Sequence, residues 1–225
     1  MSQHFKNACV TLIETYCKLM TYNIKHIAIA GDSIFDNDGY VPNDPGVIEQ
    51  LRTSIPSQWS AMKIAVDGDC IRHVYSRVEN FPDFITDLVL SIGGNDALGY
   101  ASILNQAKSL SDIPSLVAKP ASEFRANYKA LLSHLLTLNT NLHVCTIYTA
   151  VPFEDPLWRQ FVPPALNMFN SIIKEEAALH NIGVIEIDKV CTEEEDYSKA
   201  SPIEPSAIGG QKIVDAIIRH LEVQS

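Results

Sequence analysis

An α/β fold, with a parallel sheet covered by helices on both faces, is what this sequence predicts, and three observations predict it. Five short apolar runs, at 25–31, 61–67, 86–92, 142–149 and 182–188, are each bounded by turn residues. Segments with apolar residues at helical spacing lie between and after them, at 45–54, 70–79, 122–138, 164–180 and 207–221. Strand and helix in regular alternation build parallel β-α-β units. The runs are also continuously apolar, as in His26-Ile27-Ala28-Ile29-Ala30. That pattern suits strands buried on both faces.

Length and order then divide the chain. A total of 225 residues fits one large domain better than two. Residues 1–23 read as an N-terminal helical extension, because Phe5, Cys9, Leu12, Ile13, Tyr16 and Met20 recur at helical spacing. Its apolar face suits packing on the outside of the sheet or against a second copy of the chain in a homodimer, the alternative being a loose extension. The domain proper is 24–225, with no internal repeat, linker or low-complexity tract. The acidic run Glu193-Glu194-Glu195-Asp196 reads as a solvated loop.

Composition narrows the partners. The chain is 46% hydrophobic and 20% charged, enough apolar material for a sizeable core. A formal charge of −10 argues against nucleic acid or an anionic membrane surface. No apolar run is long enough to span a bilayer. Five cysteines with no Cys-x-x-Cys pair suggest reduced thiols, Cys145 in a strand-like run and Cys9 and Cys17 on the first helix. Glu14 and Lys18 interrupt what would be the apolar part of a secretory signal, so a cytoplasmic location is expected.

The chemistry gathers where strands end. The first strand breaks into Gly31-Asp32-Ser33, leaving a serine hydroxyl at the carboxyl edge, where open α/β sheets bind ligands. The second ends in Val66-Asp67-Gly68-Asp69 and the third in Ile92-Gly93-Gly94-Asn95-Asp96. Acyl transfer needs hydrogen-bond donors aimed at an oxygen that turns negative. The backbone N–H of Ser33, the backbone N–H of Gly68 and the side-chain amide of Asn95 offer three. Asp32 sits beside the nucleophile as a turn-stabilising acceptor and a candidate contact to substrate. Two long stretches leave the same edge. Residues 97–121 carry Tyr100, and 150–163 carry Phe153 and Trp158 among several prolines. They would shape a pocket for an uncharged or acyl-type group, or pack on themselves. The acids near this edge, Asp36, Asp38, Asp69, Asp96 and Asp155, fit no calcium loop and lack the histidines zinc requires, so neither metal nor cofactor is expected.

In these blocks the sequence resembles the SGNH (GDSL-type) hydrolases. Gly31-Asp32-Ser33 looks like the family's first block, Gly68 its second, and Gly93-Gly94-Asn95-Asp96 its third, over roughly residues 24–220. The resemblance implies a flavodoxin-like three-layer α/β/α sandwich with a five-stranded parallel sheet. It implies hydrolysis of a small ester or acyl substrate through a serine acyl-enzyme, with Ser33 as nucleophile and Gly68 and Asn95 completing the oxyanion hole.

The last block departs from the family. Where it expects Asp-x-x-His-Pro, this chain has Ser201-Pro202-Ile203-Glu204-Pro205, which puts Glu204 at the base position. His26, His143 and His180 belong at the other end of the sheet, His134 and His220 in helices, and His4 in the extension. Only His73 falls on the correct edge, and it reads as a helix-surface residue. An ordinary glutamate titrates near 4.3, roughly three pH units below neutrality, so Glu204 could serve as base only if burial raised it. Two readings follow. One is an esterase using Glu204, linked to Ser201. The other is a non-catalytic protein that keeps the pocket to bind an acylated or glycan ligand. A nucleotide-binding module is a weaker third, since no phosphate-cradling glycine spacing follows the first strand.

Overall fold

The computed structural model describes residues 24–223; the expected N-terminal helix, with Cys9 and Cys17, lies outside them. Strands β1 (His26–Gly31), β2 (Ser60–Lys63), β3 (Asp87–Ser91), β4 (Asn141–Cys145) and β5 (Gly183–Ile185) form one parallel sheet in the order β2-β1-β3-β4-β5. This is the expected five-stranded, doubly covered sheet. The chain steps from β1 to one side, then returns to the other, so a crevice opens between the carboxyl ends of β1 and β3.

Alternating residues of each strand feed two cores. Ala28, Ala30, Leu88, Leu90 and Val144 pack toward α2 (Ile71–Arg77), α4 (Ile113–Leu135) and α5 (Pro156–Leu179). Ile27, Ile29, Val89 and Cys145 pack toward α1 (Val47–Ser54) and α6 (Ala207–Val223). A short helix between these, α3 (Gly94–Leu98), starts just beyond β3. The thiol of Cys145 is 1% exposed, as a core residue should be.

Two elements differ from the reading of the sequence. Helices α4 and α5 begin at Ile113 and Pro156, not at 122 and 164. Much of what reads as long loop is therefore their first turns. Proline misleads here because its missing N–H costs nothing in the first turn of a helix. Pro156 opens α5 directly behind Asp155, whose Oδ1 accepts the N–H of Leu157 at 2.8 Å. Pro120, Pro163 and Pro164 are then carried inside the two helices.

Candidate active site

Strand β1 ends in a forced turn. Gly31 has φ +133°, and a Cβ there would stand 1.7 Å from the Ser91 carbonyl oxygen of β3. No other residue allows the two strand ends to run so close. Asp32 N–H then donates to that same carbonyl at 3.1 Å, and the Asp32 carbonyl accepts from Phe35 and Asp36. The resulting tight turn carries Ser33, 6% exposed, at the rim of the crevice.

The turn at 66–69 closes beside it. Val66 N–H donates to the Gly31 carbonyl, and Asp69 N–H to that of Val66. Gly68, at φ +79°, supplies the left-handed residue this turn needs. Asn95, in the first turn of α3, donates from Nδ2 to the Asp69 carbonyl at 3.0 Å. Asp69 is held in turn by a bidentate ion pair with Arg77 at 2.8 and 3.1 Å. Asp96 accepts the N–H of Ile71 at 3.0 Å, tying α3 to the start of α2.

Glu204 arrives from the segment before α6, and its backbone is pinned on all sides. Its N–H donates to the Ser201 carbonyl at 3.2 Å, and its carbonyl accepts from Ser198 at 2.8 Å. Tyr197 and Pro205 form an antiparallel bridge around it, and Asn37 Nδ2 donates to the Pro205 carbonyl at 3.2 Å. The Tyr148 hydroxyl donates to the Ile203 carbonyl, and Ser206 Oγ caps α6 by accepting from Ile208 and Gly209 at 3.1 Å each. So held, Glu204 is 4% exposed. Burial, the larger influence, and the negative charge of Asp67 push its carboxyl up to about 7, while a hydrogen bond with the Ser33 side chain pulls the other way. Its Oε2 is buried with no hydrogen-bond partner. The link to Ser201 thus runs through the backbone.

Asp32 is the second acid of the site. It is 3% exposed, and burial raises it to about 8, aided by the nearby charges of Glu204 and Asp96 and opposed by the Ile34 N–H, which donates to its Oδ1 at 3.2 Å. Two carboxyls in one buried site resist ionising together. Both are therefore held above the usual carboxylate range, and as pH rises through neutrality the pair gives up its first proton before its second.

Asp32, Ser33, Asn95, Tyr100, Phe153, Trp158 and Glu204 all line one cavity of about 110 Å³. Those seven sequence-derived candidates converge from four separate segments. Gly68 does not line it; its turn stands behind Asn95. His73 does not line it either. Its Nδ1 accepts the N–H of Cys70 at 2.9 Å, closing the first turn of α2. The cavity's deeper wall escaped sequence reasoning. It includes Val117 and Pro120 of α4 and Val162, Ala165 and Phe169 of α5. Tyr148, just past β4, was also missed, although its place at a strand end was a usable signal. Phe153 and Trp158 do touch edge to face at 5.4 Å, so packing on each other and lining the pocket are not exclusive. Among the described residues no cluster of three or more His, Cys, Asp or Glu side chains could hold a metal ion. No described helix is long and apolar enough to cross a membrane.

Residues 29–212 match the sequence profile of the GDSL-like lipase/acylhydrolase family. The chain belongs to that family. Solved structures agree on the fold. A lipase from a goat rumen metagenome superposes with a TM-score of 0.67 at 17% identity, covering 87% of this chain and 97% of its own. An extracellular lipase from Streptomyces rimosus gives 0.67 at 14% identity, covering 89% and 100%. An acetyl xylan esterase, AlAXEase, gives 0.60 at 19% identity, covering 85% and 97%. No curated protein sequence matches significantly.

Proposed function

We propose that the protein is a serine ester or acyl hydrolase in which Glu204 takes the place of the usual histidine base. The observation that carries this reading is the Glu204 carboxyl, buried, raised to about 7 and hydrogen-bonded with Ser33 inside an apolar cavity. A base titrating near the working pH combines the right protonation state with sufficient driving force.

Ser33 Oγ attacks the carbonyl carbon of the substrate as its proton passes to Glu204. The N–H of Ser33 and Asn95 Nδ2 donate to the oxyanion; Gly68, outside the cavity, serves by shaping the turn that holds Asn95. Collapse expels the alcohol, which takes the proton back from Glu204, and leaves Ser33 acylated. Water then repeats the sequence with Glu204 again as base. The substitution is self-consistent in charge. A histidine base becomes a cation and needs an acid to orient and stabilise it. A carboxylate base becomes neutral, so no orienting acid is required, and a serine at position 201 is no loss. In this reading Glu204 gives up the pair's first proton, so proton transfer moves one negative charge from Glu204 to the oxyanion, and a protonated Asp32 keeps a second one away.

A fluorophosphonate probe tests this. It should label Ser33, seen as a mass increment on the peptide containing it, and Ser33→Ala should abolish the adduct. Glu204→Gln should slow labelling by about 10²–10⁴-fold, the usual worth of a general base. Absence of labelling at neutral and raised pH would defeat the proposal and favour a protein that binds without turning over.

A further inference from the structure

A general base has to be aimed by a neighbouring group. Ser201 stands where the family carries its orienting acid, and its bond with Glu204 runs between the two backbones. Support from outside the segment reaches it on both sides of Glu204. Before it, the Ile203 carbonyl accepts the hydroxyl of Tyr148, a residue just past β4. After it, the Pro205 carbonyl accepts Asn37 Nδ2 at 3.2 Å, and Asn37 Oδ1 in turn accepts the N–H of Val47, the first residue of α1, at 2.8 Å. Tyr148 is itself fixed. It is buried, and its ring meets that of Tyr197 edge to face with centroids 4.9 Å apart. Tyr197 bridges to Pro205, and its hydroxyl donates to the Cys191 carbonyl at 3.0 Å. Tyr148, Ile203 and Glu204 line the same cavity. Burial first, and the charge of Glu204 second, hold the Tyr148 hydroxyl well above the ordinary tyrosine range, so it is a lasting donor.

We propose that Tyr148 is a positioning residue for the reaction: its hydroxyl, carried at the end of β4, holds the peptide that leads into Glu204 and so aims the carboxyl at Ser33. This rests on the reading of Glu204 as base. The group Tyr148 grips is the carbonyl of the peptide joining Ile203 to Glu204, so the grip sets the Glu204 Cα and the direction in which its side chain leaves the backbone. It ties a segment outside the sheet to the sheet's own rigid end. The same hydroxyl keeps the carboxyl dry. Without it the Ile203 carbonyl loses its donor, and a buried acceptor left so recruits water or loosens the chain around it. Either change lets Glu204 swing away from Ser33 and brings water to the carboxyl, which favours its charged form.

Tyr148→Phe tests it, because the variant keeps the ring and its contact with Tyr197 and removes only the hydroxyl. On a short-chain ester kcat should fall roughly 10–10²-fold, the usual cost of a misplaced catalytic group, while KM changes by less than about twofold. The ionisation that governs Ser33 phosphonylation should move by about one pH unit toward the ordinary glutamate value. Made in Glu204→Gln, the same substitution should alter the labelling rate by less than about twofold, since Tyr148 acts through the carboxyl. An equal loss with and without that carboxyl, or a kcat and ionisation left at their wild-type values, would overturn the proposal. A second measurement needs no turnover. The Glu204 N–H, bonded to the Ser201 carbonyl, should exchange its hydrogen at least about tenfold faster in Tyr148→Phe, with the amides of α6 unchanged. Unaltered exchange at Glu204 refutes the hold on the segment even if Ser33 labels normally. Faster exchange in a protein whose labelling does not depend on Glu204 upholds that hold and refutes the glutamate base.

Discussion

Replacing Asp32 by asparagine should make the protein more stable at neutral and alkaline pH, by an amount that grows with pH. In the fold Asp32 titrates at about 8, against 3.8 for the free group. Between those values the folded state holds a proton that the unfolded chain has released, so stability falls as pH rises. The slope for one such group is about 1.4 kcal/mol per pH unit, flattening below the unfolded value and above the folded one. Asparagine keeps the shape and the oxygen that accepts the Ile34 N–H, but does not titrate. The variant and wild type should thus be nearly equal at pH 4. By pH 7 the variant should lead by roughly 4 kcal/mol, or about 8–16 °C in Tm for a chain of this size. Urea unfolding of both proteins at pH 5, 6, 7 and 8 reads this directly, and the difference cancels the titration of acids that do not interact with Asp32. Parallel stability curves would mean that Asp32 is ionised in the fold, and the charge balance assigned to the site would be wrong.

Two further substitutions probe the frame. Asn95→Ala removes one proposed oxyanion donor and should cost about 10²–10³ in kcat, with KM for the ester little changed; steady-state kinetics on a short-chain ester checks it, and an unaltered kcat would remove Asn95 from the oxyanion hole. Gly31→Ala places a methyl 1.7 Å from the Ser91 carbonyl at φ +133° and should abolish soluble folded protein, judged by circular dichroism and thermal melting; a variant that melts like wild type would refute the close approach of β1 and β3.

The frame of the molecule was legible because its signals are local. Continuous apolar runs mark strands buried on both faces, and Gly31, Ser33 and Asn95 fall at strand ends that a parallel sheet must bring to one edge. Glu204 could be placed by its position before the last helix. The cavity wall was not legible, for a physical reason. Pro120, Pro163 and Pro164 normally end helices, yet here α4 and α5 run through them, and it is these helices that enclose the apolar space. Burial of Asp32 was equally hidden. A carboxylate next to a turn glycine reads as a turn-stabilising acceptor, and only the packing of the α3 and Glu204 segments around it removes it from water.

The pairing of Ser33 with Glu204 is tested most directly by the pH dependence of Ser33 phosphonylation in wild type and in Glu204→Gln. The wild-type rate should rise with pH through a single ionisation near 7, the value to which burial lifts Glu204. The glutamine variant should be slow and lack that step. A wild-type rate that follows no ionisation near 7, or a step that persists in Glu204→Gln, would contradict a glutamate base.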